Sequence, residues 1–215
     1  MRFDILTIFP EAFGSYLGAS ILKRAQVRRK VSVHLHDIRR AATDKHRTVD
    51  DRPYGGGVGM VMKVGPVWRM LTKLPKLKRR RVLLMSAKGK PFTQADARRL
   101  SRYTQLVLIA PRYEGIDERI LASVDEEISV GPYVLTGGEL PAMVVLDAVA
   151  RLLPGVLGKD ESSRDESHSE PGVLEYPQYT RPEVFRRKRV PKVLLSGDHA
   201  AIAKWRAKHC SPSST

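Results

Sequence analysis

The densest grouping of chemistry-bearing side chains lies in PRYEGIDERI, residues 111–120, where Arg112, Tyr113, Glu114, Asp117, Glu118 and Arg119 follow directly on an apolar run. A planar phenol beside a carboxylate and a guanidinium suits a nucleobase taken out of its stack, with the ring against its face and the polar groups on its edge. A capped helix start accounts for Asp117 and Glu118 without any ligand, but it leaves the preceding Arg-Tyr-Glu-Gly unexplained. GPYVLTGGELPA, residues 131–142, packs three glycines and two prolines into another strand-to-helix turn. Glycine at such a turn lets something approach the backbone closely. Together with Ser86-Ala87-Lys88-Gly89, these turns predict three strand ends converging on one pocket, whose exposed N–H and C=O groups can read an adenine edge and a ribose. Glu139, within the third turn, either caps the following helix or touches the ligand.

Other patterns carry less. DDRPYGGGVGM holds Gly55, Gly56, Gly57 and Gly59, but no Lys-Ser/Thr pair follows and the dinucleotide fingerprint is incomplete, so neither a P-loop nor a nicotinamide site is supported. What remains is a loop or exposed hairpin flanked by Arg47, Asp50, Asp51 and Arg52. His34 and His36 share a strand face without a third metal ligand nearby. There is no serine elbow, and Cys210 has no identifiable base beside it.

Positioning these turns requires strands that end where they begin. FDILTIF (3–9), VSVHLHDI (31–38), RVLLMSA (81–87), QLVLIAP (105–111) and EISVGPYVL (127–135) read as strands. The segment opened by Pro10, TQADARRLSRY and ERILASVD read as helices between them. Continuous apolar strands alternating with helices predict an α/β domain around a mostly parallel sheet covered on both faces. Residues 158–173 are rich in Ser, Asp and Glu with no apolar face, which predicts a linker. Beyond them a short strand at VLL, a cap at Asp198 and a helix are expected.

Lysine and arginine number 38 against 23 acids, a formal charge of +15, so a polyanion is the expected partner and nucleic acid the first choice. The excess is concentrated at 23–30, 73–81 and 186–192, which favours a footprint over general solvation. A single cysteine excludes an internal disulfide and fits a reducing compartment. No apolar run approaches the length of a membrane helix, and a cytoplasmic protein with no membrane partner is expected.

KHRTVDDRPYGGGVGMVM, RYEGIDER, VLTGGELPAM, LPGVLG and YPQYTRPEVF occur in this order. Together they closely resemble the bacterial tRNA (guanine-N1)-methyltransferase family of the SPOUT class, from Met1 to about Trp205. The resemblance implies a deep trefoil-knotted α/β fold with a small C-terminal helical segment. It implies a knotted domain at 1–157, a catalytic lid at 158–173 and a tRNA-binding segment at 174–215. The protein would be a homodimer with active sites at the subunit interface. The reaction implied is S-adenosylmethionine-dependent methylation of guanine N1 at position 37 of tRNAs with a preceding guanine. A knotted methyltransferase for another RNA and a non-catalytic RNA-binding protein are the alternatives.

By match to the family's loops, the cofactor contacts would be Ser86, Ala87 and Gly89 on the first turn, then Tyr113 and Gly115 on the second. The third would give Val130, Gly131, Tyr133, Leu135, Gly137, Gly138 and Pro141. Guanine N1 carries a proton at neutral pH, so a base must remove it while a donor offsets charge on O6. The resemblance assigns the base to Glu166 by register, with Asp165 adjacent as the alternative, and the donor to Arg151. Glu114 falls at the guanine or Mg2+ site, and Asp50, Arg52, Arg112 and Arg181 at the tRNA. Pro111 stands where the family commonly has glycine, which would remove one backbone N–H contact. Typical members also continue with more helix, which implies weaker tRNA affinity here unless the basic clusters compensate.

Overall fold

The computed structural model describes residues 1–157 and 173–212. In the first of two compact units, Met1–Gly158, the chain runs through β1 (Arg2–Thr7), α1 (Gly14–Leu17), α2 (Ser20–Val27), β2 (Ser32–Asp37), β3 (Asp50–Asp51) and β4 (Val61–Met62). It continues with α3 (Val64–Lys73), β5 (Arg80–Pro91), α4 (Gln94–Leu100), β6 (Gln105–Ile109), β7 (Glu126–Ser129) and α5 (Glu139–Ala150). The main sheet has the order β2-β1-β6-β5-β7 with every pairing parallel, an α/β architecture.

Parallel strands buried on both faces supply two cores by simple alternation. Leu106 and Leu108 of β6, with Phe3, Ile5, Leu83 and Met85, pack under α2, α4 and α5. Val107 and Ile109, with Leu6, Val82 and Leu84, pack on the opposite face against α3 and the 3-10 turns at Ile38–Ala41 and Glu118–Ser123. Each such fully buried aliphatic side chain stabilises by about 1.5–3 kcal/mol. At the sheet's N-terminal end, fully buried Asp4 accepts hydrogen bonds from Arg2 Nε and Nη2, each at 2.7 Å, and from Gln105 Nε2 at 2.7 Å, and lies 2.8 Å from His36 Nε2. That contact is where the second histidine of the strand pair is engaged.

Several elements differ from expectation for local reasons. The helix expected after Pro10 is a 3-10 turn plus two short helices, interrupted where Gly18 closes α1 and Ser20 takes φ +42°. ERILASVD forms only a 3-10 turn, started by Asp117 accepting from the Arg119 N–H. The strand expected to reach Leu135 stops at Ser129, because Ser129 Oγ folds back onto Gly131. Helix α3 was not expected; Pro66 lies in its first turn, where the missing N–H costs nothing. α4 starts with a full capping box between Thr93 and Asp96.

The second unit, Lys159–Thr215, contains β8 (Val173–Leu174), the hairpin of β9 (Val184–Phe185) and β10 (Lys188–Arg189), α6 (Lys192–Leu195), α7 (His199–His209) and β11 (Ser211–Pro212), which pairs with β8. The strand expected at VLL is instead α6, whereas Asp198 caps α7 by accepting from the Ala201 N–H. Trp205 stacks on His209 at 4.0 Å and meets Tyr179 edge-on. No helix among the described residues is long and apolar enough to cross a membrane.

Candidate active site

Three loops, one interrupting β5 and two leaving the C-terminal ends of β6 and β7, surround a cavity of about 390 Å3, a size typical of small-molecule sites. Open parallel sheets place ligands at this end, since helix starts and freed backbone groups gather there.

The first loop is an irregularity inside β5. Its pairing with β7 runs to Met85–Ile128, breaks, and resumes at Lys90–Ile128, so the residues between are pushed outward. Ser86, Ala87 and Lys88 thereby line the cavity. Gly89 does not; its Cα crosses the β7 backbone so closely that a Cβ would lie 2.5 Å from the Ile128 nitrogen. Its glycine is a packing requirement.

The second loop turns at Tyr113, which takes φ +63°, and at Gly115, at φ +127°. It is pinned to the end of the glycine-rich segment: Glu114 N–H donates to Met60 O, Met62 N–H to Gly115 O, and Asp117 N–H to Met62 O. The 50–62 segment, closed by the β3–β4 pair, thus buttresses the loop. Asp50 stands next to the Tyr113 phenol; burial first, then this neighbouring carboxylate, raises the phenol pKa above its ordinary value.

The third loop folds on itself and then onto the second. Tyr133 OH donates to Val130 O, and its ring lies over Gly131, where a Cβ would come within 2.3 Å. Gly138 N–H donates to Pro111 O at 2.7 Å, and its Cα sits against Ala110, leaving 2.6 Å for a Cβ. Pro111 therefore contributes through its carbonyl, a role that its ring leaves intact. Glu139 is 3% exposed, with Oε1 accepting from Thr7 Oγ and Oε2 from Arg112 Nε, both at 2.8 Å.

Of the residues anticipated as cofactor contacts, all but Gly89 line this cavity, as do Glu114 and Arg112. Leu84, Ile116, Ile120 and Ile128 supply apolar walls. The result is a cavity with apolar walls and a polar rim, large enough for a heterocycle with a short polar tail.

The remaining expected residues lie elsewhere. Arg151 closes α5 and borders a second hollow with Tyr16, Leu140, Met143, Val144 and Asp147. Arg52 is exposed on the glycine-rich loop and Arg181 is exposed in the second unit. Asp165 and Glu166 lie outside the described residues. Thr7, Phe9 and Met62 were missed: Met62 Sδ accepts from the Arg112 N–H, and Phe9 lies beneath the Arg112 guanidinium at 4.8 Å. Their position at the ends of β1 and β4 was the available signal.

The sequence profile described as tRNA (Guanine-1)-methyltransferase TrmD matches residues 1–214. Proteins named tRNA (guanine-N(1)-)-methyltransferase are similar along most of their lengths. That of Heliobacterium modesticaldum is 54% identical over 215 residues, covering 97% of this chain and 79% of its own. That of Geobacter sp. (strain M21) is 55% identical over 211 residues, covering 97% and 84%. That of Nostoc punctiforme is 52% identical over 207 residues, covering 96% and 87%.

Proposed function

The chain belongs to the tRNA (guanine-1)-methyltransferase family, and from that premise we propose that it methylates N1 of guanine 37, 3′ of the anticodon, in tRNAs whose position 36 is also guanine. S-adenosylmethionine supplies the methyl group as an activated sulfonium. The observation that carries this reading is the convergence of the three glycine-bearing loops on one cavity. Its apolar walls, with Val130, Gly131, Tyr133, Leu135, Gly137 and Gly138 along the third loop, suit an adenosine and a methionine tail.

This chain's residues then have three tasks. A carboxylate at Glu166, or at Asp165, takes the N1 proton of guanine, so that the N1 electron pair can form the new bond to the methyl carbon as the bond from that carbon to the donor's sulfur breaks and the neutral thioether S-adenosylhomocysteine leaves. Arg151 donates to guanine O6, where negative charge gathers as that proton leaves. Tyr113 and Glu114, on the loop pinned to Met60 and Met62, border the guanine beside the donor cavity. Were Mg2+ to bind, Glu114 would hold it and the ion would offset negative charge beside the guanine; among the described residues no three His, Cys, Asp or Glu side chains group as a metal site.

Arg151 lies beside the second hollow, not in the cavity, and this supports a homodimer in which one copy's Arg151 serves the other's cavity. Leu140 and Val144 are 57% and 48% exposed on α5, beside Tyr16, an apolar face for a second copy to cover. The knot, the lid at 158–173 and the tRNA-binding role of 174–215 belong to the same proposal, as does a cytoplasmic location. In the last segment the hairpin, with Arg186, Arg187 and Lys188 beside exposed Phe185, and Arg181 are offered to the tRNA backbone; Arg52, in the first unit, is a tRNA contact of its own. The test is incubation with S-adenosylmethionine and tRNA followed by nucleoside mass spectrometry. 1-Methylguanosine is expected; another methylated nucleoside would assign the site to a different RNA chemistry.

A further inference from the structure

We infer that Glu139, acting through Arg112, is a positioning residue that sets the shape of the methyl-donor cavity. The inference rests on the proposed function of that cavity. Both Glu139 oxygens are engaged within the protein: Oε1 by the Thr7 hydroxyl, Oε2 by Arg112 Nε. Arg112 in turn donates from Nη1 to Thr136 O at 3.2 Å, and its backbone N–H donates to Met62 Sδ. The Phe9 N–H donates to Thr7 Oγ, and the Phe9 ring carries the guanidinium. One buried carboxylate thus ties together the ends of β1 and β6, the start of α5 and the third loop.

The third loop rests directly on this pair. A Cβ at Gly137 would lie 2.3 Å from Arg112 Nε and 2.7 Å from Glu139 Oε2. Thr136, Gly137 and Gly138 therefore take their places from the ion pair beneath them, and the two glycines line the cavity. The Arg112 charge is met by a buried carboxylate, and its Nε and one Nη1 N–H are held by that carboxylate and by Thr136 O, which fixes the side chain against the cavity wall. Arg112 accordingly belongs to the donor cavity rather than to the tRNA contact expected from the motif.

The test is a double-mutant cycle on Arg112→Ala and Glu139→Ala, with Arg112→Lys as the conservative variant. S-adenosylmethionine affinity is read by calorimetry, KM for each substrate by steady-state kinetics, and folding by thermal melts. Each single variant should weaken donor binding by about tenfold, with the double variant no worse than the poorer single, since the two act as one unit. KM for tRNA and its salt dependence should stay unchanged, and Arg112→Lys should recover part of the loss. Unchanged donor affinity, or an Arg112→Ala effect confined to tRNA KM and additive with Glu139→Ala, overturns the inference. Should the alanine variants fail to fold, Thr7→Val removes one donor to Glu139 while keeping both charges; about a threefold loss of donor affinity is expected, and none overturns the inference. A wild-type protein that does not bind S-adenosylmethionine defeats the proposed function and this inference together. Variants that bind as well as a binding wild type defeat the inference alone.

Discussion

The Glu114 side chain fills the space that a Cβ at Gly59 would need: the added atom would lie 2.6 Å from Glu114 Cγ and 2.7 Å from Oε1. Gly59 also has φ +86°, a region that costs an alanine about 1 kcal/mol or more. Gly59→Ala should therefore act chiefly by displacing Glu114. The expected result is a loss of about tenfold or more in kcat/KM for tRNA, with donor affinity by calorimetry nearly unchanged. Wild-type tRNA kinetics in this variant would remove Glu114 from the substrate site.

Arg151 sits away from the cavity yet is proposed to face guanine O6. Arg151→Ala should abolish turnover while leaving S-adenosylmethionine affinity nearly intact; equal loss of both would sink its role. Mixing Arg151→Ala subunits with subunits disabled in the cavity should restore activity if one copy's arginine serves the other's site.

Glu166→Gln should damage turnover far more than Asp165→Asn. The reverse ranking, measured in single-turnover methyl transfer, moves the base to Asp165.

The β9–β10 turn places Arg186 at φ +48° and Arg187 at φ +64°, where hairpins ordinarily carry Asn or Gly. Such local strain is commonly kept where a side chain has a task. Arg187→Gly should raise thermal stability slightly while weakening tRNA binding. The slope of log affinity against log salt should shrink by about 0.7 to 0.9 for the one charge removed. An unchanged slope would take this hairpin out of the tRNA footprint.

Burial opposes ionisation of Asp4, Asp96 and Glu126, but the hydrogen bonds they accept outweigh it. His36, Arg2 and Gln105 hold Asp4 well below the usual carboxylate range; Thr93, Lys90 and Arg99 bring Asp96 to about 2; Arg99 and Arg81 lower Glu126. Because the folded pKa values lie below the unfolded ones, this stability is complete above about pH 5 and is lost as pH falls toward 2. Urea midpoints should decline across that window, and Asp96→Asn should flatten part of the decline. A midpoint independent of pH there would contradict these assignments.

The strands β1, β5 and β6 were legible because they place apolar residues on both faces, β7 only through Ile128 and the apolar residues that follow it, and the loops because their glycines and charges follow strands directly. Strand order was not, since an apolar run does not say which neighbour it pairs with. Nor was the role of Gly89, Gly137 and Gly138 in packing against Ile128, Arg112 and Ala110, because a close approach between distant segments leaves only a glycine in the sequence. Glu139 illustrates the limit: its position at a helix start was visible, while its partners Thr7 and Arg112 come from other strand ends. α3 was hidden by Gly65-Pro66, which punctuates a loop as readily as it opens a helix.

The most direct measurement pairs labelled S-adenosylmethionine with two tRNA transcripts, one carrying G36-G37 and one A36-G37, and maps the methylated nucleotide in each. The account predicts methyl on N1 of G37 in the first and little or none in the second. Label at another nucleotide, or no transfer by protein that binds the donor, would contradict it.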